Sequence, residues 1–415
     1  MLSIVDLPLA AGTLILILAA PEPTGTLTLP QALELAARHS PSLEAAAARL
    51  AAAQAQQTDA GRRPNPVLTF EAENFAGSVD PAQRELTLAA GQTFELGGKR
   101  DARAGAAAAA ATLAAAERDA EGRHVAEATA ARFVDGWVVQ ERSRRLGRAE
   151  RLAADAVDAA DARHRAGAAP VVERLRAEAL HAQRSAEARR ARVEADLARG
   201  RLAAQWGATS AGFDSLVLDE PPDEPVAAAE SLAAELERHP DRAIAAASAA
   251  LAAARAREAR SARTPDLSLL GGVRHLGEDG DVGLIALVAM ELPVWNARRG
   301  GLAAAEAQLG AAAAGERAAS LRLRDELRGA RERYVIAVDT HRTLRDEVGP
   351  HTAAALEQLT AGYRGGRFGS LELLEGQRAM VEVELALIDA AAEAWRSRAE
   401  LERLLGRPLG TEGGR

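Results

Sequence analysis

Apolar and polar positions along this chain follow two rhythms, and the switch between them marks its parts. The stretch Pro30–Ala60 reads as helix, interrupted at Ser40-Pro41 because the residue before a proline avoids the helical region. It divides into a short helix over Pro30–His39 and a longer one from Pro41, and Pro64-Asn65-Pro66 ends it. The period then becomes two. Val67, Thr69, Glu71 and Glu73 alternate with Leu68, Phe70, Ala72 and Asn74. Leu86, Leu88, Ala90, Gln92 and Phe94 share one face opposite Thr87, Ala89, Gly91, Thr93 and Glu95. Alternation of this kind predicts strands over 67–75 and 86–95, with a loop at Gly77-Ser78-Val79-Asp80-Pro81 between them.

Leu96-Gly97-Gly98-Lys99-Arg100 closes the second strand and launches a helix expected from Asp101 to His164. At about 1.5 Å per residue such a helix is about 95 Å long, more than most globular domains can house. Phe133 and Trp137, four apart, predict a buried stripe on it. Arg165-Ala166-Gly167-Ala168-Ala169-Pro170 then forms a turn. Gly167 suits the left-handed position that ends a helix, and Pro170 the first turn of the next. A return helix is expected from Pro170 to Trp206, stopped by Gly207.

After a linker rich in proline and acid, the pattern restarts. Strands are expected over 267–274 and 282–292, with a loop at Gly277–Gly280, then a long helix, a turn at Tyr363-Arg364-Gly365-Gly366-Arg367-Phe368-Gly369, and a return helix capped by Ser370. Arg299 follows Arg100, Gly366 follows Gly167 and Gly406 follows Gly207 by the same 199 residues. One unit therefore occurs twice. The expected division is 1–20, a signal peptide; 29–207, the first repeat; 208–228, the linker; 229–406, the second repeat; and 407–415, a tail.

Composition narrows the reading. Aromatics are only 3% of the chain while alanine fills runs such as Ala106–Ala116, which favours helices whose axes approach closely. A net charge of -8 argues against nucleic acid as a partner. The absence of cysteine removes disulfides, thiolate metal sites and a cysteine-linked anchor. Leu7–Ala20 is apolar but shorter than the about 20 residues of a spanning helix, and predicts the core of a secretory signal although no Lys or Arg precedes it. Any membrane insertion must then use strands. Four strands cannot close a membrane barrel, whose minimum is about eight. Each is about the length that a tilted spanning strand needs.

The duplicated plan, the Pro64-Asn65-Pro66 lead into the first strand, both glycine tips and the repeat ends Leu202–Gly207 and Leu401–Gly406 resemble the TolC family of outer-membrane efflux ducts. Phe94-Glu95-Leu96-Gly97-Gly98-Lys99-Arg100 is similar to the strand-to-helix joint of its CzcC-like heavy-metal branch. The resemblance implies a mainly α fold with a transmembrane β-barrel: a homotrimer with twelve strands in the outer-membrane lipid, continued by a periplasmic α-helical barrel. It also implies a periplasmic adaptor and an inner-membrane RND-type pump as partners. Glu372 and Glu375 match acidic positions that ring the pore constriction in the family, and being three apart they share a helix face. The alternative is a solvated acidic helix start, which suits the helix dipole. Gly167, Pro170, Gly366, Arg367 and Phe368 fall at the tips, where adaptor contact is implied, and Glu173 and Tyr363 match positions of tip closure. The family's closing arginine stands two residues after the tip glycine, whereas here Arg367 stands one after Gly366 and Phe368 takes the next place.

Catalytic chemistry is not expected, nor a cofactor or a resident metal. Glu121–His124 and Glu178–His181 both read Glu-x-x-His, the spacing of di-iron bundles, but they lie at different distances from the Gly167 tip and cannot meet in a hairpin. No phosphate-cradling glycine loop or nucleophile elbow is present. The alternatives to heavy-metal efflux are a duct for type I protein secretion or for organic compounds and, in another class, a soluble structural coiled coil. The last leaves the paired strands unexplained.

Overall fold

A computed structural model of the protein describes residues 25–74, 84–221, 223–276, 281–365, 367–407 and 409. The expected signal peptide, Phe75, the loops 77–81 and 277–280, and Gly366 lie outside the described residues.

The elements run β1 (Gly25–Thr28), α1 (Leu29–His39), α2 (Pro41–Ala60), β2 (Val67–Glu73), β3 (Glu85–Phe94), α3 (Lys99–Arg165), α4 (Val171–Ala203), β4 (Phe213–Val217), α5 (Ala229–Leu232), α6 (Pro240–Ser261), β5 (Leu267–Leu276), β6 (Val282–Met290), α7 (Arg299–Thr343), α8 (Gly349–Arg364) and α9 (Ser370–Leu405). Short 3-10 turns extend α4 to Trp206 and α5 to Arg238, and a π turn over Leu344–Val348 separates α7 from α8. Pro350 explains that turn: it has no N–H to continue the helical ladder.

The chain divides into two compact units. Of the described residues, one comprises those up to Pro41, Ala128–Asp219 and Gln358–Ile388; the other comprises Ser42–Glu127, Glu220–Glu357 and those from Asp389. In the first, β1 and β4 pair in parallel from Gly25↔Phe213 to Thr28↔Val217. They cover a core of Leu27, Phe133, Leu202, Trp206 and Leu216, with the Trp206 and Phe213 rings 6.3 Å apart. Trp137 packs at its edge. Gln140 of α3 is buried here, and its side-chain amide behaves like one residue of a third strand. Its Nε2 donates to the Leu216 carbonyl and its Oε1 accepts from the Leu216 N–H, both at 2.8 Å.

The second unit has a helical core. Leu323, Leu327, Ala330 and Tyr334 recur at helical spacing on α7 and pack with Leu401, Leu404 and Leu405 of α9 and with Leu232 and Leu236. The incoming segment is held by side chains: the Tyr334 hydroxyl donates to the Glu224 carbonyl at 3.3 Å, and Arg331 Nε donates to that of Ala227 at 2.8 Å.

The same unit carries an antiparallel sheet in the order β2-β3-β5-β6. Its register puts Phe70 opposite Leu88, Leu88 opposite Val273 and Val273 opposite Leu284. One face is therefore apolar across all four strands. Its residues stand in solvent, with Leu68 74% and Leu284 88% exposed. The other face carries polar contacts between β3 and β5: Arg274 bonds Glu85 at 2.7 Å and Thr87 at 3.0 Å, and Thr93 bonds Ser268 at 3.1 Å. Gly272 permits the close β3–β5 approach, since a Cβ there would lie 2.3 Å from the Leu88 carbonyl oxygen. β2 and β6 have no strand on their outer edges among the described residues.

Several expectations need correction. The supposed linker 208–228 contains β4, and its last residues are tied to α7. Within the expected tail, Leu409 is buried in the second core and Arg407 pairs with Glu235 at 2.9 Å. β2 ends at Glu73, where Asn74 turns to positive φ, and β6 ends at Met290, three residues before Pro293. Ser370 is the first residue of α9 and not its cap, while Pro170 caps α4 from outside its first turn.

Candidate functional site: the hairpin tips

The first tip is built by backbone chemistry. Gly167 adopts φ 70°, a left-handed conformation that disfavours a Cβ. The Ala168 N–H donates to the Arg163 carbonyl at 2.8 Å and the Gly167 N–H to that of His164 at 2.9 Å, closing the last carbonyls of α3. After Pro170 the chain turns back, and the Glu173 N–H donates to the Pro170 carbonyl at 3.0 Å. Glu173 thus stands in the first turn of α4.

The second tip packs on itself. The N–H groups of Arg367 and Phe368 both donate to the Gly362 carbonyl, at 2.8 and 3.3 Å. The Phe368 ring lies directly on Gly362: a Cβ there would stand 2.1 Å from it. Phe368 remains 44% exposed, an apolar knob on the outside of the turn.

Two of the predicted residues meet across the tips. The Tyr363 hydroxyl donates to Glu173 Oε1 at 2.8 Å. Burial, reinforced by this hydrogen bond and the Glu173 charge, pushes the Tyr363 hydroxyl above its ordinary pKa, so it stays a donor at neutral pH. A third residue completes the cluster, and the sequence reading missed it. Arg163, on the last turn of α3, places its guanidinium 5.0 Å from the Tyr363 ring centre and its Nε 3.6 Å from Glu173. A cation thus stands beside the pair, on α3 and not at Arg367. Its position four residues before Gly167, on the helix facing Glu173, was the available signal, but charged residues crowd that turn and nothing in the sequence singles it out.

Glu372 and Glu375 lie in the first two turns of α9, both exposed and without an ion pair among the described residues. The Glu372 carboxylate folds back over Gly369, where a Cβ would meet it at 2.8 Å, as suits a residue that also shields the start of the helix. The two Glu-x-x-His pairs fall in different units, Glu121 and His124 in one and Glu178 and His181 in the other. No cluster of three or more His, Asp or Glu side chains able to hold a metal ion occurs among the described residues.

Residues 232–407 match the family model described as outer membrane efflux protein. Over 394 residues the chain is 29% identical to the cobalt-zinc-cadmium resistance protein CzcC of Cupriavidus metallidurans, covering 93% of this chain and 91% of that protein. The chain is thus similar to outer membrane efflux proteins. The likeness is to a protein of outer-membrane transport and not to an enzyme. Two solved structures share the fold of this chain. VceC of Vibrio cholerae superposes with a TM-score of 0.76 at 22% identity, covering 92% of this chain and 96% of that one. CusC superposes with a TM-score of 0.77 at 16% identity, covering 91% and 92%. No helix among the described residues is long and apolar enough to cross a membrane.

Proposed function

We propose that the chain is an outer-membrane efflux protein, three copies of which close a twelve-stranded barrel in the outer membrane, continued by a helical barrel, and serve as the exit duct of a tripartite exporter. The observation that carries the reading is the sheet β2-β3-β5-β6. Its apolar face stands in solvent across four strands, and both its edges lack a partner strand among the described residues. A bilayer satisfies the face, and the β2 edge of a neighbouring copy satisfies the β6 edge. The opposite face, with its Arg274–Glu85 pair, then lines the lumen. An inner-membrane RND-type pump and a periplasmic adaptor supply the energy and the link.

Heavy-metal cations are the proposed cargo, supported by the likeness to a cobalt-zinc-cadmium resistance protein. With few soft ligands in the chain, the duct passes cations without holding them. Glu173, Tyr363 and Arg163 close the tip, and Glu372 and Glu375, tripled around an axis, form an acidic constriction that favours cations. Gly167, Pro170, Gly366, Arg367 and Phe368 form the face offered to the adaptor.

The test begins with the detergent-extracted protein, which is expected to sediment as a trimer with heat-resistant β signal. A stable monomer without detergent overturns the barrel. In planar bilayers, Tyr363→Phe with Arg163→Ala is expected to raise conductance, and Glu372→Ala with Glu375→Ala to lower cation selectivity. Unchanged selectivity would make the two glutamates a solvated helix start. Growth on zinc, cobalt or cadmium of a strain lacking the protein decides the cargo.

A further inference from the structure

The two repeats meet at a seam inside the sheet, where β3 of the first pairs with β5 of the second. At one end of that seam the joint after β3 grips the lead-in to β5. The Leu96 N–H donates to Asp266 Oδ1 at 3.2 Å, and Lys99 Nζ pairs with the same oxygen at 2.8 Å. Gly97, at φ 69°, lies so close to Thr264 that a Cβ would clash with its side chain.

The chain carries a joint and a lead-in a second time, and there they are parted. The joint follows β6, and the lead-in Pro64-Asn65-Pro66 precedes β2. The register runs from Val67 through Gly91 and Leu270 to Leu287, so both lie at one end of the sheet, on its opposite edges. The 199-residue offset puts Trp295 in the place of Leu96 and Arg298 in that of Lys99. Arg298 turns back into its own repeat, donating to the Ala262 carbonyl at 2.8 Å. Trp295 is left 97% exposed, a costly position for the largest apolar side chain. At the other edge Pro66 stands directly before β2, as Asp266 does before β5, and Asn65, Pro66 and Val67 are all exposed. An open cavity lined by Arg63, Pro64, Phe94 and Leu96 adjoins them. The ion pair of the inner seam therefore has no counterpart at the outer edges. They offer an indole on one side and a proline–valine step on the other.

Three successive antiparallel pairings make β6 run opposite to β2, as β3 runs opposite to β5. A ring of copies thus repeats the inner seam between neighbours. We propose that Trp295 of one copy packs on the Pro64–Val67 lead-in of the next, closing between copies the seam that Lys99 and Asp266 close within the chain. The proposal rests on the barrel reading above. It commits to a second copy because a ring contact joins two different patches, and these two are the parted halves of a seam that the same chain shows closed.

The chain has no cysteine, so one pair can be introduced alone. In full-length protein extracted in detergent, Trp295→Cys with Pro66→Cys is expected to give dimers and trimers on mild oxidation, which reductant returns to monomers. A bond within one copy is out of reach: three strand spacings of about 4.8 Å part the edges, and a disulfide spans at most about 7 Å between Cα atoms. Absence of the cross-link in protein that sediments as a trimer overturns the proposal and leaves the barrel reading standing. Protein that sediments as a monomer defeats both. If the double variant does not assemble, Trp295→Phe decides. The emission it removes is expected to be shielded from aqueous iodide in the wild-type trimer, and quenching there as free as in the unfolded chain overturns the contact.

Discussion

The cores of the two units solve one problem in different ways. Each must tie an incoming extended segment to the end of a long helix pair. In the first, residues 25–28 become a strand, paired with β4 and finished by the Gln140 amide. In the second, the segment at Glu224–Ala227 stays irregular and is held by Tyr334 and Arg331. The helix ends agree closely, since Leu202 and Leu401, both fully buried, occupy matching places 199 residues apart. The duplicated part is thus the helical stripe, and the tie around it was free to diverge. The backbone ladder satisfies the groups of residues 25–28, and two side-chain bonds satisfy the Glu224 and Ala227 carbonyls, but the ladder orders more chain.

That difference can be broken from its heaviest part. Trp206→Ala empties the centre of the first core and is expected to cost about 3–5 kcal/mol. Denaturant unfolding followed by exchange of the β4 amides would measure it, and native-like protection of Leu216 would show the strand pair standing without its core. Gln140→Ala leaves the buried Leu216 N–H and carbonyl unpaired, at about 1–3 kcal/mol each. Faster exchange confined to Phe213–Val217, with Glu224–Ala227 unaffected, is the expected pattern. Equal loosening of both segments would mean that the two ties are not independent. Tyr334→Phe should cost only about 0.5–1.5 kcal/mol, because one long hydrogen bond is lost and the ring still fills its place.

A pH titration sharpens the comparison further. His239 is buried, and desolvation, helped by Arg403 and Arg123 and opposed by Asp241, pushes its pKa below the ordinary value. Burial lowers His341 likewise. Below the unfolded pKa of about 6.5 the unfolded chain takes up protons that the folded one refuses. Stability in the second unit is therefore full above that pH and declines as pH falls through it. His239 also caps α6, its Nδ1 accepting from the Asp241 N–H at 3.2 Å. His239→Asn keeps a capping side chain and cannot titrate, so it should flatten part of the slope. An unchanged slope would assign the effect to His341.

Much of this molecule was legible from residue order. Alternation at Val67–Glu73 and Leu86–Phe94 marked strands, because successive side chains of a strand point to opposite faces of its sheet. The break at Pro41 and the left-handed turn at Gly167 are local events set by single residues. Tyr363 and Glu173 were named in advance through resemblance, and they do meet.

What the order of residues could not contain was the pairing of distant parts. β1 and β4 are only four and five residues long, with no alternation to reveal them, and they become strands by finding each other 188 positions apart. Arg163 joined the tip cluster because a hairpin brought its turn beside Glu173 and Tyr363, and one arginine among many carries no mark of its future neighbour. The strand at Phe213 sat in what reads as a proline-rich, acidic linker. Local propensity and periodicity are properties of a short stretch and survive in the sequence. Hydrogen bonds and ion pairs across many residues depend on which surfaces burial brings together, and only the folded chain decides that.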